Sequence, residues 1–192
     1  MDTAKLEEAM KLQKPRLVAD TQEVQAIFST IENFITRRFK NLSFHMGMIL
    51  NHKFNSKLRF SNEVTKYFAR MWCEENIMEF NFNTILDRRL NDTIVHEFAH
   101  RICYEYGLPL KHNLEFSIIC NVLIRDFCCK DKYFFRHYDI WEEEYIDKLN
   151  INMVLFDKFI NSIKYETLDE LVAKAKHYAW NIRRNANKQK EK

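Results

Sequence analysis

The chain has few residues that interrupt regular structure, with two glycines and two prolines among 192 residues. This scarcity argues against a barrel of many short strands and favours helices. Long apolar runs are also missing, since none approaches the roughly 18 residues that cross a bilayer. The N-terminus is charged and lacks the apolar core of a signal peptide. We therefore expect a cytoplasmic protein that is not secreted and has no membrane partner, with one core built from its 46% hydrophobic residues.

Cysteine usage argues against a disulfide framework. The chain has five cysteines, an odd number, and no Cys-x-x-Cys pair. Three of them fall within apolar helical or strand patterns, which is typical of buried free thiols in a reducing compartment. Adjacent cysteines rarely chelate one ion together, so we expect no metal site at Cys128–Cys129. The other cysteines are Cys73, Cys103 and Cys120.

The net charge of +3 is too mild to indicate a nucleic-acid-binding protein. One basic group, Arg37–Lys40, ends a predicted helix, where cations offset the helix dipole. The second is a C-terminal basic tail opposed only by Glu191. Such a tail is either a solvated, frayed end or a contact with DNA phosphates. Its basic residues are Arg183, Arg184, Lys188, Lys190 and Lys192.

The most informative stretch is His96-Glu97-Phe98-Ala99-His100, which matches the zinc-binding pattern His-Glu-x-x-His. Residues four apart lie on one face of a helix, so the two imidazoles can reach the same ion. Glu97 follows His96 by about 100° around the helix. It can therefore act as general base on a metal-bound water without entering the coordination shell.

The residues around the motif predict a helix. Asn91–Thr93 supplies N-cap candidates, and Asp92 places negative charge at the helix start. Gly107 and then Pro109 are typical of a helix end. The two histidines lie at the rim of an apolar face with helical period. That face consists of Ile94, Val95, Phe98, Ala99, Ile102, Cys103 and Tyr106. The competing interpretation is two core or surface histidines beside an incidental glutamate.

A catalytic zinc ion usually takes three protein ligands and leaves one position for water. We expect the third ligand to be His112, because the short connection 107–111 lets the chain double back beside the first helix. Glu115 is the main rival, since it offers an oxygen ligand on the same segment. His45 and His137 are more distant rivals. A second apolar helical pattern follows, with Leu114, Phe116, Ile119, Cys120, Leu123 and Phe127.

Further apolar patterns flank the motif. An amphipathic stripe predicts a helix over Thr21–Lys40. Residues 42–82 are predicted to hold β structure, partly from the alternation of Phe44, Met46, Met48 and Leu50. An irregular aromatic stretch, Tyr133–Trp141, precedes two C-terminal helices that Glu142–Glu144 opens or flanks. The first has a stripe of Ile151, Val154, Leu155, Phe159, Ile160 and Ile163. The second has a capping box of Thr167 and Glu170, and an apolar face of Leu168, Leu171, Val172, Ala175, Tyr178 and Ala179.

The run from Asn81 to Phe116 resembles the SprT-like zinc metalloproteases. That family has a threonine shortly before His-Glu-x-x-His and a third histidine in the element His-Gly-x-x-[Phe/Trp]. Here the element is His112-Asn113-Leu114-Glu115-Phe116. The resemblance covers about residues 22–130. It extends to three segments that are similar to the family's strands: Leu58–Asn62, Lys66–Cys73 and Ile77–Phe82.

The chain departs from the family in three respects. Asn113 replaces the glycine after the third histidine, although asparagine tolerates unusual backbone angles better than most residues. A glycine of the family's second strand has no counterpart near Phe68–Ala69. The cysteine-based zinc ribbon that follows the protease region in many members is missing. The resemblance implies that His96, His100 and His112 bind Zn²⁺ and that Glu97 is the catalytic base.

The expected fold is α+β, with an N-terminal helix, a small three-stranded sheet, the motif helix with its packing helix, and a C-terminal helical extension. We predict a polar lead over 1–20, a SprT-like metalloprotease domain over 21–130 and a helical extension with the basic tail over 131–192. The extension stands where the family's zinc ribbon is expected. Oligomeric state is left open.

The predicted function is zinc-dependent hydrolysis of a protein or peptide substrate. Resemblance to the family also implies action on DNA-associated proteins and a nucleoid or nuclear location. Candidates for stabilising the oxyanion are Tyr133, Arg136, His137 and Tyr138. One alternative is a nucleic-acid- or protein-binding regulator that keeps a zinc site with little or no proteolytic activity. Another is a metallohydrolase of small substrates.

Overall fold

The structure, a computed structural model, describes residues 22–61, 68–82, 90–128 and 151–190. These ranges form α1 (Gln22–Leu50), β1 (Lys57–Ser61), β2 (Ala69–Trp72), β3 (Ile77–Asn81), α2 (Leu90–Glu105), α3 (Leu114–Phe127), α4 (Met153–Ser162) and α5 (Leu168–Lys190). The predicted α+β class is confirmed. Within the described ranges, no helix is both long and apolar enough to cross a membrane. The predictions for 1–20, Tyr133–Trp141 and Glu142–Glu144 fall outside these ranges, and the domain boundaries stay predictions.

Helix α1 is longer than the sequence predicted. The β pattern assigned after residue 42 is wrong up to Leu50, and Arg37–Lys40 lies inside the helix. Of the four alternating residues, Met46 and Leu50 are buried, whereas Phe44 and Met48 are more than two-thirds exposed. The buried pair is four residues apart, so the apparent alternation contained a helical period. Buried Phe39 and Leu42 continue the same stripe.

The three strands form a mixed sheet in the order β1-β3-β2, with β1 parallel and β2 antiparallel to β3. All three overlap the segments predicted as strands. One face is apolar and packs on the core, with Ala69, Met71, Met78 and Phe80 buried. On the other face, Arg59 pairs with Glu79 across the strands at 2.5 Å. The guanidinium of Arg70 lies 4.2 Å from the ring centre of Trp72.

Helix α2 carries the motif, and its predicted apolar face is confirmed. Six of the seven residues of that face have no exposed surface, and the seventh, Tyr106, is partly buried. The N-cap prediction is wrong, because the helix begins at Leu90 and Asn91–Thr93 lies in its first turn. The negative charge of Asp92 still lies there, where it complements the helix dipole.

The end of α2 agrees with the prediction. Gly107 has a φ of +63°. Its N–H donates to the Tyr104 carbonyl at 3.1 Å, and the N–H of Leu108 donates to the Cys103 carbonyl at 2.7 Å. These two bonds define a Schellman ending, in which a left-handed residue turns the chain sharply away from the helix.

Helix α3 lies at the centre of the described helices. Every residue from Leu114 to Ile124 is buried, which is typical of a helix covered on all sides. Helix α2 packs on it from one side, and α4 and α5 pack on it from others. The helix ends at Phe127, the last residue of the predicted apolar pattern.

The C-terminal helices are tied to α2 and α3 by polar contacts. The Tyr106 hydroxyl donates to Asp169 at 2.5 Å, and the Tyr165 hydroxyl donates to Asp126 at 2.8 Å. Arg125 donates to the Ile160 carbonyl. These contacts fix α4 and α5 against the helix that follows His112.

The predicted apolar stripe of α4 is partly wrong. Val154 and Leu155 are about three-fifths exposed, and Phe156 is buried in their place beside Ile160. At the start of α5, the N–H of Glu170 donates to Thr167 as the capping box predicts, at 3.3 Å. The Glu170 carboxylate accepts from the N–H of Glu166.

We predict that Gly107→Ala lowers the free energy of unfolding by about 1–2 kcal/mol, the cost of the left-handed conformation for a residue with a side chain. A methyl group at this position would meet no atom within 4 Å, so the cost comes from backbone strain and not from a clash. Urea denaturation measures it. Gly107→Asn is the matched control and should lose less, because asparagine tolerates this region. Equal stability of Gly107→Ala and the wild type would contradict the prediction.

Candidate metal centre

Three histidine side chains meet where α2 faces the start of α3. His112 Nε2 lies 3.0 Å from His100 Nε2 and 3.2 Å from His96 Nε2. The potential ligand atoms of the three lie within 4.8 Å of one another. The two histidines of α2 are one turn apart, and the return of the chain at Gly107 brings the third to them.

The geometry of the cluster fits a metal ion better than a set of hydrogen bonds. A ring nitrogen carries either one proton or one lone pair, so His112 Nε2 cannot form good hydrogen bonds to two other nitrogens at once. Tetrahedral zinc with Zn–N bonds of about 2.0–2.1 Å separates its nitrogen ligands by about 3.3 Å. The observed separations of 3.0 and 3.2 Å are close to that value.

The surroundings keep these imidazoles neutral, as metal ligation requires. The pKa of His100 is lowered to about 4, mainly by burial and also by the nearby His112, while a hydrogen bond to the Leu110 backbone acts in the opposite direction. Because His100 Nε2 faces His112, that bond is donated from Nδ1 to the Leu110 carbonyl, which leaves Nε2 free of a proton. Burial also holds the pKa of His96 well below its usual range.

Phe116 forms the apolar floor of the cluster. The centre of its ring lies 4.3 Å from that of His100, 4.8 Å from that of His112 and 5.1 Å from that of His96. Its position is fixed by Asn113, whose side-chain oxygen accepts from the Phe116 N–H at 2.8 Å. An aromatic floor limits ring rotation of the ligands and excludes water from below.

Asn113 adopts an ordinary extended backbone, with φ −85° and ψ −174°. The tolerance of asparagine for unusual backbone angles is therefore not needed at this position. Asn113 is instead the N-cap of α3, a position where asparagine is among the preferred residues. Its amide fixes the first turn of α3 directly after His112.

Glu97 is buried beneath β2, with 5% of its surface exposed. Burial raises its pKa to about 8, while a hydrogen bond from the Met71 backbone and the charge of Arg70 act in the opposite direction. Glu97 is not a member of the apolar face of α2, so the helical pattern did not predict its burial. It is covered because β2 packs over α2, where Arg101 also donates to the Cys73 carbonyl.

The rival ligands lie elsewhere. Both oxygens of Glu115 are engaged by Arg183. His45 is exposed on α1 and contacts Phe127 edge-on. His137 and the four oxyanion candidates fall outside the described residues. In the described ranges, no fourth His, Cys, Asp or Glu joins the three histidines as a potential ligand.

The prediction of buried free thiols is confirmed for Cys103 and Cys120, whereas Cys73 and Cys128 are only half-buried. Cys73, Cys103, Cys120 and Cys128 carry free thiols, and Cys129 lies outside the described residues. Cys120 has a contact that the sequence did not reveal, with its sulfur 4.0 Å from Nδ1 of His96. Burial raises the pKa of Cys120 well above its usual range, so this group is a neutral thiol beside the ligand.

Comparison of the chain with known protein families, curated proteins and solved structures found no match.

We predict that the protein binds one divalent zinc ion and that His112→Ala weakens this binding by orders of magnitude, because one of three ligands is lost. Titration calorimetry of the metal-free protein measures the affinity. His45→Ala is the control and should bind zinc like the wild type, since His45 lies on the exposed side of α1. Zinc binding by His112→Ala at full strength would exclude His112 as a ligand.

Proposed function

We propose that this protein is a zinc-dependent metalloprotease, and that His96, His100 and His112 hold the ion. The observation that carries the proposal is the convergence of three imidazole nitrogens beside a buried glutamate on the same helix. A structural zinc site uses four protein ligands, whereas a catalytic site keeps one position open. The three-ligand set of the described residues supports a catalytic site.

When bound, zinc would supply a water of lowered pKa and polarise the scissile carbonyl. The chain supplies the remaining requirements. Leu110 and Phe116 orient the imidazoles, and burial keeps these rings neutral. Glu97 follows His96 directly, so its carboxylate can accept a proton at the rim of the cluster and deliver it to the leaving amine.

Burial of Glu97 supports this role. A buried carboxylate with a raised pKa weakens the folded state, so it is unusual where it has no function. Its pKa of about 8 in the metal-free protein makes it a stronger base than an exposed glutamate. The Met71 N–H holds the carboxylate from above and so limits its rotation.

The position of β2 favours a peptide over a small substrate. Within the described residues, β2 is an edge strand that lies over α2. The Met71 N–H points from this edge toward Glu97 and away from β3. An extended peptide could add to this edge through the backbone groups that Glu97 and Arg101 leave open, which would align it along the metal centre.

We propose more specifically that the protein acts on DNA-associated proteins, and the basic end of α5 supports this. Trp180 is 53% exposed, and the guanidinium of Arg184 lies 5.1 Å from its ring centre. Lys188 is exposed one turn later. Aromatic rings flanked by cations suit single-stranded nucleic acid, which offers both bases and phosphates. This end is helical to Lys190, so of the two alternatives a frayed end does not hold up to that residue.

We predict that Glu97→Gln keeps zinc affinity but lowers the rate of proteolysis at least about 100-fold, the usual contribution of a general base. Quenched fluorescent peptides measure the rate, and calorimetry measures the affinity. Glu79→Gln is the matched control, because Glu79 pairs with Arg59 on the outer face of the sheet. Unchanged turnover by Glu97→Gln would remove Glu97 from the mechanism.

We also predict that the purified protein cleaves an unfolded substrate such as casein, that a chelator blocks cleavage, and that added zinc restores it. The assay should be run with and without single-stranded DNA. Stimulation by DNA that fades with rising salt would support the DNA-linked part, because phosphate contacts release counterions. Binding of zinc and DNA without any cleavage would favour a regulator without proteolytic activity.

A further inference from the structure

An ion pair joins helix α5 to the segment that directly follows His112. The Arg183 guanidinium faces the Glu115 carboxylate with two nitrogens on two oxygens, and the Nη2–Oε2 distance is 2.6 Å. The Glu115 side chain is 10% exposed and that of Arg183 is 39% exposed. A bidentate pair with one buried partner is geometrically defined, unlike an ion pair between two solvated side chains.

Glu115 lies in the turn that follows the third histidine. It is in the first turn of α3, three residues after His112, between Asn113, which caps the helix, and Phe116. The Asn113 side chain caps this turn through the Phe116 N–H, and the Asn113 N–H donates to the Lys111 carbonyl at 2.7 Å. Because the turn is fixed at both ends, an interaction that holds Glu115 in place also restrains the backbone of His112.

Glu115 also has the chemistry of a metal ligand. A carboxylate released from Arg183, only three residues after His112, could rotate toward the ion and bind it as a further oxygen donor or replace one of the histidines. Arg183 prevents this because it occupies both carboxylate oxygens.

We propose that Arg183 is a positioning residue of the metal centre: by holding both oxygens of Glu115, it fixes His112 and keeps the carboxylate out of the coordination shell. This inference rests on the proposed zinc site and deepens it. It makes α5 part of that site, although Arg183 lies 68 residues after Glu115 in the chain.

The test uses the full chain with Zn²⁺ and with Co²⁺, whose visible spectrum reports coordination number and ligand type. Arg183→Gln should bind Zn²⁺ about 10-fold more weakly, the usual lower bound for losing a group that orients a ligand. Its Co²⁺ spectrum should change toward a higher coordination number as Glu115 gains access. Lys176→Gln removes a charge from an exposed position of the same helix and should match the wild type.

The double variant Glu115→Gln/Arg183→Gln distinguishes two effects of losing Arg183: entry of the Glu115 carboxylate into the coordination shell, and a less rigid His112. It removes the competing carboxylate and should recover the wild-type Co²⁺ spectrum, even where affinity stays reduced. Arg183→Lys, which keeps the charge but not the fork, should fall between the wild type and Arg183→Gln and serves as the test should Arg183→Gln fail to fold. An Arg183 variant with the affinity and spectrum of Lys176→Gln would overturn the proposal, as would a double variant that keeps the altered spectrum.

These measurements need no turnover. A wild type that binds zinc through the three histidines but cleaves nothing would remove the protease proposal and leave this one in place. Zinc binding through the three histidines that ignores Arg183 would remove only this one. A wild type that binds no zinc would end both.

Discussion

The metal centre depends on the short return of the chain between α2 and α3. Two histidines on one helix can offer an ion only two ligands, and the third must come from a segment that reverses direction within a few residues. Gly107 permits that reversal by taking a positive φ, and Asn113 starts the next helix immediately after His112. The same connection contributes the Leu110 carbonyl that orients His100. One turn therefore sets both the number of ligands and the protonation of one of them.

Burial shifts the pKa values of the histidines and of the glutamate in the site in opposite directions. It lowers the pKa of His96 and His100 and raises that of Glu97. Both shifts have the same cause, because a low-dielectric environment disfavours the charged form of each group. In the metal-free protein, all three shifts therefore favour neutral groups, which limits the charge that the packed core between β2 and α3 must accommodate. A cation held by the three histidines would stabilise the negative form of Glu97. The positive charge of the metal and the negative charge of the base are therefore complementary.

Local patterns accounted for most of what the sequence predicted correctly. The apolar face of α2, its glycine ending, the return to His112 and the cap at Thr167 each depend on residues a few positions apart. The failures came from elsewhere. Phe44 to Leu50 alternate in polarity, but the buried members are four apart and only packing decides between the two periods. Burial of Glu97 requires β2 to lie over α2, and Arg183 reaches Glu115 only through the tertiary arrangement of α5. No local signal in the chain could have revealed either contact.

Helices α4 and α5 provide apolar cover that α3 needs. A helix that buries every residue from Leu114 to Ile124 needs apolar cover on all sides, and α2 provides it on only one. Phe156 and Ile160 of α4, with Leu171 and Ala175 of α5, belong to the same core. A central helix that is packed in this way cannot tilt without disturbing several neighbours. His112, which lies just before the helix, is therefore also held in place. Rigidity of the third ligand is thus a consequence of the extension, which contributes to the site through packing as well as through Arg183.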